Sequence, residues 1–260
     1  MARRARGARR TVRGPAGIAL AALLALAALL GGGQLSQPQA DLPSAGVASD
    51  RQATCTVWDA ERYPDYFRVV GPAVVDVELE PGEVVYEGLD ELGRTGRVVA
   101  LVTPEMAEAG SEREREDMSD VRPSGWGHNA EVDIEMPDGK IYHGYLFNRS
   151  HLLAKSLGGD DAVYNVVTGT RTQNVGDNQG QDGGMAYAES LARDWLRDNP
   201  GGSVFYSAEP VYEGGELVPR SVIVDVRSSD GSVDQEIEVF NVAAGYEVNY
   251  ETGEFSRAGE

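Results

Sequence analysis

Beyond residue 56 the chain alternates short apolar segments with turn residues, a pattern that predicts strands on both sides of one long helix. Seven segments before the helix are predicted strands: residues 67–70, 74–79, 84–86, 97–103, 131–136, 140–147 and 165–168. The helix is predicted over residues 182–199, where five residues share one face: Met185, Ala188, Ala192, Trp195 and Leu196. Residues 203–255 are again strand-like. This order predicts an α+β fold and argues against a parallel, doubly wound sheet.

The first 33 residues have a different pattern, typical of a targeting segment. Six arginines precede a nearly uninterrupted apolar stretch at residues 16–30, and three glycines follow it. The stretch fits a signal peptide better than a spanning helix, which needs about 20 apolar residues. Residues 1–33 are therefore predicted to be a signal peptide, with an uncleaved membrane anchor as the alternative. Residues 34–55 are predicted to be a flexible linker and residues 56–260 the functional domain, secreted or held at the cell surface.

Composition and charge exclude some functions. Cys55 is the only cysteine, which rules out a disulfide framework and any zinc site built from several thiolates. The formal charge is −19, and removing the six arginines of the leader lowers the charge of the remainder to −25. Such an acidic chain argues against a nucleic-acid ligand, unless local arginines form a positive groove. Four arginines are candidates for that groove: Arg122, Arg149, Arg171 and Arg193.

The residues that carry candidate chemistry lie between the strands and the helix. His151 is one of only three histidines and ends a predicted strand beside Arg149, a setting suited to removing a proton from water near a phosphate. Six amide side chains follow: Asn165, Gln173, Asn174, Asn178, Gln179 and Gln181. Amide and water oxygens suit Mg²⁺. Glu189 lies on the flank of the apolar helix face, where a carboxylate needs a metal, a metal-bound water or an arginine as partner.

These segments resemble the DNA/RNA non-specific endonucleases, the ββα-metal or His-Me finger nucleases, and especially secreted or surface-anchored DNA-entry nucleases and streptococcal DNases. The run Asn148-Arg149-Ser150-His151 is similar to the family's Asp-Arg-Gly-His signature. Asn165, Asn174 and the helix that carries Glu189 match the family's spacing, and the likeness extends over residues 60–256. The resemblance implies a ββα-metal nuclease fold, with an antiparallel sheet and a central long helix.

The resemblance also implies roles for individual residues. His151 would be the general base, Asn174 the direct Mg²⁺ ligand, and Glu189 a group that holds a metal-bound water. Asn165 would shape the site, and Arg149 would make a phosphate or structural contact. Asn148 stands where the family usually has aspartate, so it keeps a hydrogen-bonding group but brings no charge. The implied activity is Mg²⁺-dependent hydrolysis of DNA or RNA without sequence specificity, giving 5′-phosphate and 3′-hydroxyl ends, with Mn²⁺ as a substitute ion.

Two other interpretations remain open from the sequence. The first is a catalytically weak or inactive surface interaction module on the same fold. The second is a zinc hydrolase that uses His128, His143 and His151, although these histidines do not have the usual spacing of zinc ligands. Loss of plasmid DNA in the presence of Mg²⁺ separates the nuclease from both. The sequence indicates no protein partner.

Overall fold

The computed structural model describes residues 57–176 and 182–259. The predicted leader and linker, Cys55, Asn178, Gln179 and Gln181 lie outside these residues. The strands, in chain order, are β1 (Phe67–Gly71), β2 (Val84–Tyr86), β3 (Val98–Val102), β4 (Glu131–Glu135), β5 (Ile141–Tyr145), β6 (Phe147–His151), β7 (Val166–Thr170), β8 (Val204–Val211), β9 (Ser221–Ser228), β10 (Asp234–Phe240), β11 (Tyr246–Val248) and β12 (Phe255–Arg257). The helices are α1 (Pro104–Glu112), α2 (Arg171–Val175) and α3 (Met185–Asp198).

A six-stranded antiparallel sheet forms the centre of the described domain. Its strand order is β1-β10-β9-β8-β3-β2, and each neighbouring pair is antiparallel. Three two-stranded sheets accompany it: β4-β5, β6-β7 and β11-β12. The mixed α/β architecture with an antiparallel sheet therefore confirms the α+β prediction.

Helix α3 packs its apolar side against the central sheet. Met185, Ala188, Ala192 and Leu196 are buried in the same cluster as residues of β8, β9 and β10, while Trp195 is only partly buried at its edge. The predicted helix face is thus the buried face, as helical periodicity requires. Among the described residues the helices are few and short, and α3 has 14 residues, so the predicted central long helix is not observed. No helix among the described residues is long and apolar enough to cross a membrane.

Strand β6 and helix α2 carry four of the candidate polar residues: Asn148, Arg149 and His151 on β6 and Asn174 on α2. The predicted strand over residues 140–147 is in fact two strands, because the chain changes partner at Leu146. The Leu146 N–H donates to the Ala130 carbonyl, and the Leu146 carbonyl accepts from the Arg171 N–H. The Leu146 side chain is fully buried. The next residue begins β6, which pairs with β7 from Phe147↔Thr170 to His151↔Val166.

One further prediction is wrong. Residues 74–79 alternate valines and acids but form no strand, and Val74, Val75 and Val77 remain well exposed, so the alternation has no buried face to stabilise it. Helix α1 was not predicted. Thr103 caps it by accepting a hydrogen bond from the Met106 N–H, and Pro104 occupies its first turn.

Candidate active site

Five of the six predicted site residues line one cleft of about 1050 Å³: Asn148, Arg149, His151, Asn174 and Glu189. The cleft is bounded by β6, α2, α3 and the segment that follows α1. Arg115, Lys155 and Arg193 add positive charge to its wall, and Trp126, Tyr142 and Tyr145 add aromatic rings. Residues spread over more than 70 positions of sequence thus converge on one concave surface, and a concave pocket with convergent polar groups is the usual form of an active site.

His151 ends β6 and places its ring between the cleft and the loop that follows. Its Nε2 lies 2.9 Å from Oδ1 of Asp161. Burial lowers the pKa of His151 below its usual value, although the hydrogen bond and charge of Asp161 oppose this shift. The ring is therefore neutral at neutral pH, the form in which an imidazole accepts a proton.

Asn174 is held by two polar neighbours on β6. The Ser150 hydroxyl donates to its Oδ1 at 3.1 Å, and its Nδ2 donates to Oδ1 of Asn148 at 3.4 Å. Helix α2, which carries Asn174, begins where the Thr170 hydroxyl accepts a hydrogen bond from the Gln173 N–H. The amide of Asn148 therefore does locally what a carboxylate acceptor would do: it fixes the orientation of Asn174.

Glu189 projects from α3 into the same cleft and is partly buried. Burial raises its pKa to about 7, while the charges of Arg193 and Arg115 oppose the shift. Among the described residues its carboxylate makes no hydrogen bond, and no ion pair within 4.0 Å joins it to an arginine. The guanidinium of Arg193 instead contacts the hydroxyls of Ser156 and Ser190. The described contacts therefore give no support to a simple buried salt bridge.

The packing of α3 against α2 fixes the separation of Glu189 and Asn174. Gly184 precedes α3 with a φ of 55°, and a Cβ there would collide with the backbone carbonyls of Thr172 and Gln173. Only glycine combines this close approach with a left-handed backbone conformation. A larger residue at 184 would push α3, and with it Glu189, away from Asn174.

The guanidinium of Arg149 is engaged by the protein itself. Its Nε donates to the Val121 carbonyl at 2.7 Å and its Nη2 to the Ser119 carbonyl at 3.0 Å. Its plane also lies over the Trp126 ring, with 4.3 Å from Cζ to the centroid. The sequence predicts either a phosphate contact or a structural contact for Arg149. These bonds are structural, because they join residues 118–126 to β6.

Asn165 is the one predicted site residue that does not line the cleft. It is fully buried, and its amide bonds the Leu153 N–H, the Leu153 carbonyl and the Asp160 carbonyl. These bonds close the loop that runs from His151 to β7. Asn165 therefore acts on the site indirectly, by fixing the loop between His151 and β7.

We expect Asn165→Ala to lower the free energy of unfolding by about 2–4 kcal/mol, because two buried backbone groups of Leu153 and the partly buried carbonyl of Asp160 lose their partner. Urea denaturation followed by tryptophan fluorescence measures this change. Asn129→Ala is a matched comparison, since Asn129 also bonds both backbone groups of one residue, Phe147, but is only partly buried, and its loss should cost less. Equal stability of the Asn165→Ala variant and the unchanged protein would contradict this role.

The oxygen atoms around Asn174 fit a hard divalent cation. The amide oxygens of Asn174 and Asn148 and the carboxylate of Glu189 face one cleft, and amide, carboxylate and water oxygens are the ligands that Mg²⁺ prefers. Among the described residues no group of three or more histidine, cysteine or acidic side chains could hold a metal. His128, His143 and His151 instead face Glu254, Asp133 and Asp161 respectively, so they do not form a three-histidine zinc site.

Several cleft residues were not anticipated as such. Arg115 belongs to the mixed-charge run of residues 111–117, whose composition alone does not mark it as a site residue. The run begins in the last residues of α1 and continues without regular structure, and Arg115 lines the cleft. Of the four proposed groove arginines, Arg149 and Arg193 line the cleft, whereas Arg122 and Arg171 do not. The only feature of the sequence that could have pointed to Arg115 is its positive charge.

Comparisons with known proteins show which family this chain belongs to. The sequence model of the DNA/RNA non-specific endonuclease family matches residues 75–254. A deoxyribonuclease of Streptococcus dysgalactiae subsp. equisimilis is 32% identical over 240 residues, covering 74% of this chain and 72% of the relative. The structure of Sda1 nuclease with bound zinc ion superposes with a TM-score of 0.73 at 33% identity, covering 77% of this chain and 100% of that one. The magnesium-bound structure of NucA from Streptococcus agalactiae gives a TM-score of 0.57 at 25% identity, covering 72% and 83%.

Proposed function

Since this chain belongs to the DNA/RNA non-specific endonuclease family, it is a nuclease that hydrolyses nucleic acid, and we propose that it is an exported, Mg²⁺-dependent endonuclease. Its substrate is DNA, with RNA as a second candidate, cut without sequence specificity to 5′-phosphate and 3′-hydroxyl ends. Its fold around the site is the ββα-metal arrangement. The single observation that carries the proposal is the convergence of His151, Asn174 and Glu189 on one cationic cleft.

His151 is the general base in this proposal. Its Nε2 is engaged with Asp161, so Nδ1 is the nitrogen that accepts the proton of the attacking water. The water attacks phosphorus in line with the leaving 3′-oxygen. Because burial keeps the pKa of His151 below its usual value, the ring is ready to accept this proton at neutral pH.

Asn174 and Glu189 are the residues that would hold the ion. Asn174 would be its direct ligand through Oδ1, Glu189 would accept a hydrogen bond from a metal-bound water, and Asn148 orients Asn174. When bound, Mg²⁺ supplies positive charge where negative charge develops on the phosphate and the leaving oxygen. Mn²⁺, which takes the same oxygen ligands, substitutes for it. The zinc ion in the structure of Sda1 nuclease and the magnesium ion in that of NucA support a divalent metal cofactor.

The walls of the cleft explain how an acidic protein binds a polyanion. Arg115, Lys155 and Arg193 contribute positive charge at the site, and a bound cation adds to it. Contacts to phosphates carry no sequence information, so cleavage is non-specific. Arg149 acts by positioning the wall, through Trp126 and the two backbone carbonyls that it binds. Because the surrounding chain is acidic, we expect DNA binding to depend strongly on divalent ions.

The leader sets the location of the enzyme in this proposal. Arginines before an apolar stretch of 15 residues, followed by small residues, direct the domain across a membrane. The enzyme then works outside the cytoplasm, secreted or held at the cell surface by an uncleaved leader.

The experiment that tests the proposed activity is cleavage of supercoiled plasmid by protein that lacks residues 1–33. We expect nicking and then degradation with Mg²⁺, and none with EDTA. The fragments should be joined by ligase without prior phosphorylation, as 5′-phosphate and 3′-hydroxyl ends require. A folded protein that leaves plasmid and single-stranded RNA intact with Mg²⁺ would overturn the proposal in favour of the interaction module. Activity with zinc and not with magnesium would overturn the choice of ion.

We expect the affinity for Mg²⁺ to rise with pH because of Glu189. Its pKa is raised to about 7, so below pH 7 the carboxyl is mostly protonated and must release a proton when the ion binds. The apparent association constant should therefore rise by up to about tenfold per pH unit below pH 7 and level off above it. Titration calorimetry at several pH values measures the effect without relying on activity. The Glu189→Gln variant should bind weakly at every pH, and an equally steep rise in that variant would contradict the assignment.

A further inference from the structure

The carboxylate of Asp161 is the hydrogen-bond partner of the His151 ring. Its Oδ1 is 2.9 Å from Nε2, and the two side chains are only 2% and 18% exposed for Asp161 and His151. His151 lines the cleft and Asp161 does not. Nδ1 accepts no hydrogen bond from the described residues. The ring is therefore held at one nitrogen and open at the other.

Asp161 is itself held in place. Its second oxygen, Oδ2, accepts a hydrogen bond from the Glu116 N–H at 3.2 Å. The preceding residue, Asp160, is fixed by three bonds: its N–H donates to Tyr86, its carbonyl accepts from Asn165, and its carboxylate accepts from Tyr164. A carboxylate fastened in this way cannot follow the imidazole if the ring rotates.

A carboxylate at this place determines which nitrogen of the ring carries the proton. A carboxylate only accepts hydrogen bonds when ionised, so Nε2 must be the protonated nitrogen and Nδ1 the one with the free electron pair. Burial alone would raise the pKa of Asp161, but the bonds from Glu116 and His151 and the charge of Arg113 hold it below its usual value. Asp161 is therefore ionised at neutral pH.

We propose that Asp161 is a positioning residue that fixes the rotation and the tautomer of His151, so that Nδ1 faces the attacking water. This inference rests on the proposed function, because it assigns a partner to the proposed general base. It adds a residue from the turn between β6 and β7 that the resemblance does not mark. The carboxylate acts through His151 and contacts neither the substrate nor the ion.

The decisive variant is Asp161→Asn, which preserves shape but cannot satisfy both of its partners. The amide has one accepting oxygen for two donors, the Glu116 N–H and the His151 Nε2–H. When the oxygen serves Glu116, the amide N–H₂ faces Nε2 and favours the tautomer with the proton on Nδ1. We expect kcat on plasmid to fall by about 100-fold, with KM and the thermal unfolding midpoint little changed. Asp160→Asn is the matched control in the same turn and should retain activity within about twofold.

A double-mutant cycle separates positioning from a general structural role. In the His151→Ala background Asp161→Asn should cost nothing further, because the group through which it acts is gone. An equal loss in both backgrounds, or full activity of Asp161→Asn in a protein that cleaves, would overturn the inference. ¹⁵N NMR of the three histidine rings gives a readout independent of activity: His151 should be protonated at Nε2 in the unchanged protein and shift toward Nδ1 in Asp161→Asn. If Asp161→Asn left the His151 spectrum unchanged, the inference would be overturned, whether or not the protein is a nuclease. If the unchanged protein did not cleave plasmid, only the proposed function would be overturned.

Discussion

His151→Ala is expected to reduce the rate of plasmid cleavage about a thousandfold, because removal of a general base typically costs 10²–10⁴-fold. Binding of Mg²⁺ and of DNA should change little, since the ring neither binds the ion nor carries charge at neutral pH. Initial rates of nicking at saturating Mg²⁺ measure the loss. Added imidazole should restore part of the activity, because the small ring can occupy the space that the side chain leaves.

The chain supplies a matched control for this variant. His143 also bonds an aspartate, with 2.6 Å between its Nδ1 and Oδ1 of Asp133, but it is exposed on β5 and does not line the cleft. His143→Ala should therefore cleave like the unchanged protein. Similar losses in both variants, or near-normal cleavage by His151→Ala, would show that His151 is not the base.

Asn174→Ala is expected to have the second largest effect, through the ion. A residue behind a metal ligand typically changes metal affinity 10–100-fold, so loss of a direct ligand should weaken Mg²⁺ binding by more than about 100-fold. Cleavage should then require far higher Mg²⁺ concentrations and fall steeply at fixed concentration. A series of rates against Mg²⁺ concentration gives the shift in half-saturation.

Asn148→Asp is the informative comparison for Asn174→Ala, because it acts in the opposite direction. The aspartate keeps an oxygen for the Nδ2 of Asn174 and adds negative charge beside the site. We expect half-saturation at lower Mg²⁺ than in the unchanged protein. If Asn174→Ala left the Mg²⁺ dependence unaltered, the ion would have to bind elsewhere.

Strands and helices could be predicted from the sequence where the periodic apolar residues are in fact buried in the fold. The helix face of Met185, Ala188, Ala192 and Leu196 was predictable because one side of α3 packs on the sheet. Residues 74–79 have the same alternation as a strand but lie exposed, so periodicity alone was misleading. The change of partner at Leu146 depends on hydrogen bonds to Ala130 and Arg171, which no local pattern encodes.

The candidate site was predictable to a similar extent and for similar reasons. His151, Asn174 and Glu189 could be named from motif spacing, and the structure places them in one cleft. The contacts that refine them are non-local. Asp161 contacts His151 from a loop position ten residues later in the chain, and Arg115 comes from the segment after α1. The structural bonds of Arg149 join β6 to residues about 30 positions earlier. Spacing names a residue type, but only the tertiary fold decides what its side chain contacts.

The measurement that tests the central claim most directly is the location of Mn²⁺ by anomalous scattering in crystals of the His151→Ala variant soaked with the ion. That variant should bind the ion without cleaving substrate, so short DNA can be present in the same crystal. We predict one anomalous peak in the cleft, about 2 Å from Oδ1 of Asn174, with a water between the ion and the Glu189 carboxylate and a DNA phosphate on its open side. A peak bound by other residues, or none in the cleft under conditions where the unchanged protein cleaves plasmid with Mn²⁺, would contradict the assignment of this cleft as the metal-dependent nuclease site.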